Sequence, residues 1–160
     1  MFFLLALPAF AQQVQAPVQT EEFREICMPL HHLKINSVFG YRIHPVTGRI
    51  DFHRGVDLAA RSEPVYCIMR GTVYETGTNP ILGKYVKVSH GELFSIYGHL
   101  SLSLVKVGMP VEAGSILGIT GATGRTTGEH LHFSVTLRGI YLDPMALIHG
   151  WLQSWHQPIN

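Results

Sequence analysis

From about Ser37 onward, glycine and proline interrupt the chain so often that every apolar run is held to strand length. The runs are "SVFGYRI", "PVYCIM", "GTVYET", "KYVKVSH", "LFSIYGHL", "SLVKV", "SILGIT" and "HLHFSVTL". Between them stand "TGTNPILG", "SHGE", "VGMPVEAG", "GATGRTTGE" and "LRG", rich in residues suited to turns. "KYVKVSHGELFSIYGHL" reads as two strands joined by a tight turn at His90-Gly91. No segment offers a long amphipathic helix, and no repeat recurs at a fixed period. The pattern predicts a mainly β protein, a compact antiparallel sheet or sandwich. At 160 residues the chain suits one domain. With 46% hydrophobic residues, 14% charged and a net charge of +1, it is neither disordered nor equipped with a broad basic face for nucleic acid.

The first eleven residues, "MFFLLALPAFA", are almost wholly apolar and end in a small-x-small pattern. A bilayer span needs about 20 apolar residues, so stable membrane insertion is not expected. Residues 1–11 are read instead as a signal peptide, although its usual basic start is missing. Residues 12–34 follow as a leader, 35–150 as the folded domain, and 151–160 as a poorly fixed tail. Export would permit a disulfide between Cys27 and Cys67. The alternative is two thiols, with Cys67 a small core residue in "PVYCIM".

Ten histidines are many for a domain of this size, and four polar residues stand out. In an extended strand, residues two apart share a face. "HLHFSV" therefore puts His130, His132 and Ser134 on one side, and Leu131, Phe133 and Val135 on the other. "FHRGVDL", if extended, aligns His53, Gly55 and Asp57, with Phe52, Val56 and Leu58 left for burial. Gly55 leaves room for an ion or a close backbone. Catalytic zinc takes three His, Asp or Glu ligands and keeps a fourth position open. His53, Asp57 and one histidine of "HLH" would make that set. Imidazoles disfavour calcium and magnesium. Spacing does not say which of His130 and His132 binds.

These motifs, with "SVFGYRIHPVTGRIDFHRGVDLAA", "PVYCIMRGTVYETG", "YGHLS", "VKVGMPVEAGSILGITGATGRTTGEHLHFSV" and "LDPMALI", run in order over roughly seven-tenths of the chain. In that order they resemble the LytM/lysostaphin-type zinc metallopeptidases, a family of peptidoglycan endopeptidases. The resemblance implies a duplicated-hybrid-motif type β domain with a metal cleft. It implies one zinc per chain on His53, Asp57 and His132, with His99 and His130 as the catalytic pair. The implied substrate is the stem peptides of peptidoglycan, joined by D,D cross-links or by glycine bridges, and the implied place is the periplasm or cell envelope. A chain this short is expected to act on nearby wall or inside a larger envelope or conjugation complex.

Three departures from the family pattern matter. Ser134 stands where many relatives have a glutamate, so a carboxylate behind the metal ligands is missing. Glu129 replaces a common proline, which suggests a changed groove charge. "RSEPVYC" replaces a glycine in a turn. Tyr41, Arg42, His44 and Thr126 are candidate substrate contacts, with Thr127 a further hydroxyl. His31, His32, His90, His149 and His156 are read as turn, surface or tail residues. Three rivals remain. A lipoyl carrier needs a lysine at a hairpin tip, where "SHGE" stands instead. A phosphocarrier needs no aspartate ligand. A non-catalytic wall-binding or hydrolase-activating module would ordinarily have lost ligands that this chain keeps.

Overall fold

The computed structural model describes residues 26–43 and 48–154. The expected signal peptide, His44, His156 and the end of the tail lie outside them. The elements are β1 (Ile35–Ser37), β2 (Gly40–Ile43), β3 (Ile50–His53), β4 (Val56–Ala59), β5 (Pro64–Tyr66), β6 (Gly71–Asn79) and β7 (Gly83–Ser89). They continue as β8 (Leu93–Leu100), β9 (Leu102–Ser103), β10 (Pro110–Val111), β11 (Ile116–Ile119), β12 (His130–Leu137), β13 (Ile140–Leu142) and α1 (Pro144–Ser154).

The protein is mainly β and its strand pairs are antiparallel, as the turn rhythm predicts. One sheet runs β1-β4-β12-β8-β7-β6-β10, with β13 also pairing β12. A second runs β5-β11-β9, and β2 and β3 pair only with each other. β12 alternates as read from sequence. Leu131, Phe133 and Val135 are fully buried, while His130 and His132 face the other way into a cleft. The core joins these residues to Val56, Leu58, Val86, Val88 and Tyr97 of the large sheet, and to Val65 and Leu117 of the small one. β4 and β8 flank β12, and the register sets His132 opposite both Asp57 and Gly98. That placement brings the first motif, "HLH" and "YGHL" to one spot.

The turn at His90-Gly91 forms, with Gly91 at φ 91° and the His90 amide donating to the Leu93 carbonyl at 2.8 Å. Four expectations need correction. "FHRGVDL" is not one extended strand, because the chain bends at Arg54 and Gly55 between β3 and β4. His53 and Asp57 therefore meet across a bend rather than along a shared face. β6 continues through "TGTN", which reads as a turn. The turn comes only at Pro80, where the Asn79 side chain accepts the Ile81 and Leu82 amides at 2.9 and 2.8 Å. The third concerns the "leader", whose end is structural: Leu30 is fully buried, and Cys27 and Pro29 hydrogen-bond the backbone of Ile68 and Tyr66. Finally, α1 runs into the stretch read as tail, and Ile148 and Trp151 pack on the core. Its start is legible in retrospect: Asp143 caps the Met145 amide at 2.9 Å, and Pro144 opens the helix. No disulfide joins Cys27 and Cys67. Cys67 is buried in the core, and burial pushes its thiol up to about 11.

Candidate active site

Three donor atoms form a nearly equilateral triangle. His53 Nε2 lies 3.1 Å from His132 Nδ1 and 3.1 Å from Asp57 Oδ1, and His132 Nδ1 lies 2.9 Å from the same oxygen. Donors in a tetrahedral zinc site are separated by about 3.3 Å, from bonds of 2.0–2.1 Å. The chemistry fits as well as the spacing. His53 Nδ1 donates to the Val38 carbonyl at 2.9 Å, which leaves Nε2 a bare lone pair aimed at a carboxylate oxygen. Two acceptors facing each other at that distance call for a cation between them. The group could hold a metal ion.

The opposite ring nitrogen of His132, Nε2, lies 2.9 Å from Ser134 Oγ. The hydroxyl at 134 thus stands behind the histidine, where the family pattern would put a carboxylate. Gly55 is needed here. A Cβ on it would come within 2.5 Å of both Ser134 Oγ and the Phe133 carbonyl, and 3.0 Å of His132 Cε1. The close backbone expected from its sequence position is that of β12.

Asp57 is shared widely. Its second oxygen, Oδ2, pairs with Arg42 Nη2 at 3.3 Å, and His130 Nε2 lies 3.4 Å from Oδ1. Burial would raise this carboxyl, but the imidazoles of His130, His132 and His53 around it outweigh that and hold the group ionised far below the usual carboxylate range. His132 is pushed down by burial, against the pull of Asp57.

Two more imidazoles border the triangle. The His99 ring centroid is 4.7 Å from that of His130 and 5.8 Å from that of His132. His99 Nδ1 donates to the Thr123 carbonyl at 2.7 Å, so Nε2 is the free nitrogen and His99 lines the cleft. Its backbone sits at φ 61°, a left-handed conformation that costs a non-glycine residue on the order of 1 kcal/mol. Burial, then the neighbouring histidines, lower its pKa to about 4, so it is neutral at physiological pH. His130 Nδ1 donates to the Gly128 carbonyl at 2.9 Å, with Thr126 Oγ1 at 3.1 Å. Burial works against the charge on His130, but Asp57 prevails and raises it.

The cleft around these groups has a volume of about 540 Å³. One wall is the tip between β6 and β7, which docks on the loop of residues 121–129. Thr123 fastens the two. Its Oγ1 accepts the Lys84 amide at 2.9 Å and donates to the Leu100 carbonyl at 2.8 Å. Gly83 and Gly124 touch backbone to backbone there.

The remaining sequence candidates divide. Arg42 and Thr126 line the cleft, the first committed to Asp57 and the second hydrogen-bonded to Gly128. Tyr41 is 81% exposed, packs edge-on against Phe52 and stands outside the cleft lining. Glu129 does not line the cleft either. Its carboxylate accepts the Ser62 amide and the Thr120 hydroxyl. Ser62 is in the left-handed region at φ 47°, the conformation glycine adopts without cost. Two departures from the family pattern therefore meet, the acid at 129 supporting the strained serine at 62.

The model of peptidase family M23 matches residues 51–144, which include all five histidine and aspartate positions. The chain belongs to peptidase family M23. It is 39% identical over 122 residues to the peptidoglycan DD-endopeptidase ShyC of Vibrio cholerae, covering 74% of this chain and 28% of that protein. Among solved structures, a zinc-containing peptidase from Vibrio cholerae matches with TM-score 0.71 and 38% identity, covering 76% of this chain and 40% of that one. The catalytic domain of lysostaphin from Staphylococcus simulans matches with TM-score 0.67 and 31% identity, over 73% of this chain and 92% of that domain. The chain spans about a quarter of the length of the curated relatives it matches. Family M23 is the LytM/lysostaphin group that the motifs resemble, and its fold agrees with the antiparallel β domain read from them. Within this M23 domain, no described helix is long and apolar enough to cross a membrane.

Proposed function

We propose that this chain is a zinc-dependent endopeptidase that hydrolyses D,D cross-links between peptidoglycan stem peptides. The observation that carries the reading is the donor triangle of His53, Asp57 and His132 with two further imidazoles, His99 and His130, beside it. Zinc bound there would lower the pKa of a bound water toward about 7 and polarise the scissile carbonyl. The protein's own groups do the rest. His53, Asp57 and His132 are the ligands, and their orientation is fixed by Val38, Arg42 and Ser134. Among the described residues the carboxylates of the cleft are Asp57, held by Arg42 and the histidines, and Asp51, which accepts the Phe52 amide, so the imidazoles carry the protons. His99 and His130 each commit Nδ1 to a backbone carbonyl; His99 keeps Nε2 free, while His130 Nε2 lies 3.4 Å from Asp57 Oδ1. Together they take the proton of the attacking water and return one to the leaving amine, help worth roughly 10²–10⁴-fold.

The D,D assignment follows relatives named as peptidoglycan DD-endopeptidases. Substrate in the wall places the protein in the periplasm or cell envelope, with residues 1–11 as its export signal. There it works on stem peptides, alone or within a larger envelope or conjugation complex. The test is digestion of purified sacculi by zinc-loaded protein, read by mass spectrometry of the muropeptides. Cross-linked dimers should fall and monomers rise, and His132→Ala should abolish both the change and the bound zinc. An unchanged muropeptide profile, or full zinc in both His53→Ala and His132→Ala, refutes the proposal.

A further inference from the structure

Two arginines in the cleft have no role in the chemistry above. Arg54 follows ligand His53 at the bend before β4, and Arg125 lies in the loop that carries Thr126 toward His130. Both are exposed and both line the cleft. Neither makes an ion pair among the described residues, whereas Arg42, Arg70 and Arg138 each pair with a carboxylate. Arg54 is steadied by the face of Tyr141, with its guanidinium carbon 5.8 Å from the ring centroid. The Arg125 backbone is pinned to the tip between β6 and β7, its amide donating to the Ile81 carbonyl at 3.0 Å.

The charges of the cleft do not cancel. Its arginines are Arg42, Arg54 and Arg125, and its carboxylates are Asp51 and Asp57. Asp57 is taken up by Arg42 and the histidines, which leaves one carboxylate, Asp51, against two guanidiniums that make no ion pair among the described residues. Asp51 in turn accepts the Phe52 amide at 2.8 Å. A bound dication adds further positive charge. A cleft of this kind is complementary to an anionic peptide, and planar guanidiniums are suited to carboxylates.

We infer that Arg54 and Arg125 read a carboxylate of the substrate, so that this site takes a cross-link bearing a free carboxyl beside the scissile amide. The inference rests on the peptidoglycan reading and narrows it. A glycine bridge has no ionisable group along its length and gains nothing from either arginine. A direct D,D cross-link through a diamino acid can carry a carboxyl on the very carbon that bears the acylated nitrogen. Amidation of that carboxyl removes the charge and leaves the bond to be cut unchanged.

The experiment compares three purified substrates with zinc-loaded protein: a D,D cross-linked dimer with that carboxyl free, the same dimer with it amidated, and an oligoglycine-bridged dimer. Wild type should cleave the free-carboxyl dimer with a kcat/KM about tenfold or more above the amidated one, the range of a charge-assisted hydrogen bond. Arg54→Gln, Arg125→Gln and the double variant should lose activity on the free-carboxyl dimer alone, the double variant cleaving both dimers equally. Melting temperature and zinc content of each variant check that fold and metal are intact. Equal cleavage of the two dimers by wild type overturns the inference, as does an equal loss on both in the variants. Failure to cleave any of the three refutes the peptidoglycan reading itself. Cleavage of the glycine bridge in preference to both dimers refutes the carboxylate inference while leaving the hydrolase standing.

Discussion

Replacing Ser134 with alanine removes one oxygen that lies 2.9 Å from His132 Nε2. For Nδ1 to face a metal as a lone pair, Nε2 must carry the ring proton, and Ser134 Oγ is its acceptor. Position 134 is 2% exposed, so water does not readily take the oxygen's place. An orphaned buried donor costs roughly 1–3 kcal/mol, and loss of a partner behind a ligand costs typically about 10- to 100-fold in metal affinity. The two figures agree, since about 1.4 kcal/mol is tenfold. Ser134→Ala is therefore expected to bind zinc roughly ten to a hundred times more weakly, measured by competition with a chelator of known affinity. The metal-free melting temperature should change much less than the zinc-bound one, because weaker binding shrinks only the stabilisation that zinc provides. Gly55→Ala approaches the same point from the other side, crowding Ser134 Oγ and His132 Cε1, and should also weaken zinc. Wild-type zinc affinity in correctly folded Ser134→Ala would refute the assignment of Ser134 as the group that orients His132.

His99→Ala and His130→Ala should each keep zinc and fold, yet lose cross-link hydrolysis by about two orders of magnitude or more, assayed beside zinc content on one preparation. Loss of zinc in the second would mean that His130 and His132 have exchanged roles. His90, which does not line the cleft, donates from Nδ1 to the Arg70 carbonyl and accepts from Ser95, and burial lowers its pKa below 6.5. The unfolded chain then binds a proton at 90 more readily than the folded one, so stability is full above about pH 6.5 and falls as pH drops below it. His90→Gln should flatten that part of the stability profile in denaturant titrations of the metal-free protein; an identical slope counts against it. Glu129→Ala should cost about 1 kcal/mol by freeing the Ser62 amide and Thr120 hydroxyl, seen in thermal melts. Because Glu129 does not line the cleft, substrate preference should stay unchanged, and a shifted preference would contradict the observed placement.

The parts of the fold legible in the sequence are those in which one rule decides. "HLHFSVTL" is a strand between buried neighbours, so alternation alone sorts Leu131, Phe133 and Val135 from His130 and His132. The hairpin at His90-Gly91 is set by its turn. The bend at Arg54-Gly55 was hidden because "FHRGVDL" satisfies alternation equally well as a straight strand; the bend follows from packing Gly55 on β12. α1 escaped notice because it is short and preceded by strands, although its Asp-Pro start was there to be read. Of the site, the triangle residues could be listed from motif and resemblance. Position 134 could be placed on the ligand face, though not the hydrogen bond its hydroxyl makes, and the work of Thr123 could not be read, since a threonine in a glycine-rich loop announces no partner. Glu129 was misjudged for the same reason: its charge was visible, but not the Ser62 turn toward which it points.

Thr123 couples two things that enzymes often keep separate. Its hydroxyl fastens the wall of the cleft at Lys84, and its carbonyl holds His99. A peptide that pries the hairpin tip outward pulls on the residue that aims the imidazole. With no slack between wall and imidazole, an ill-fitting chain can be held and yet not cut. Errors of fit are then felt in turnover more than in occupancy, and the protein can screen its substrates after they have bound.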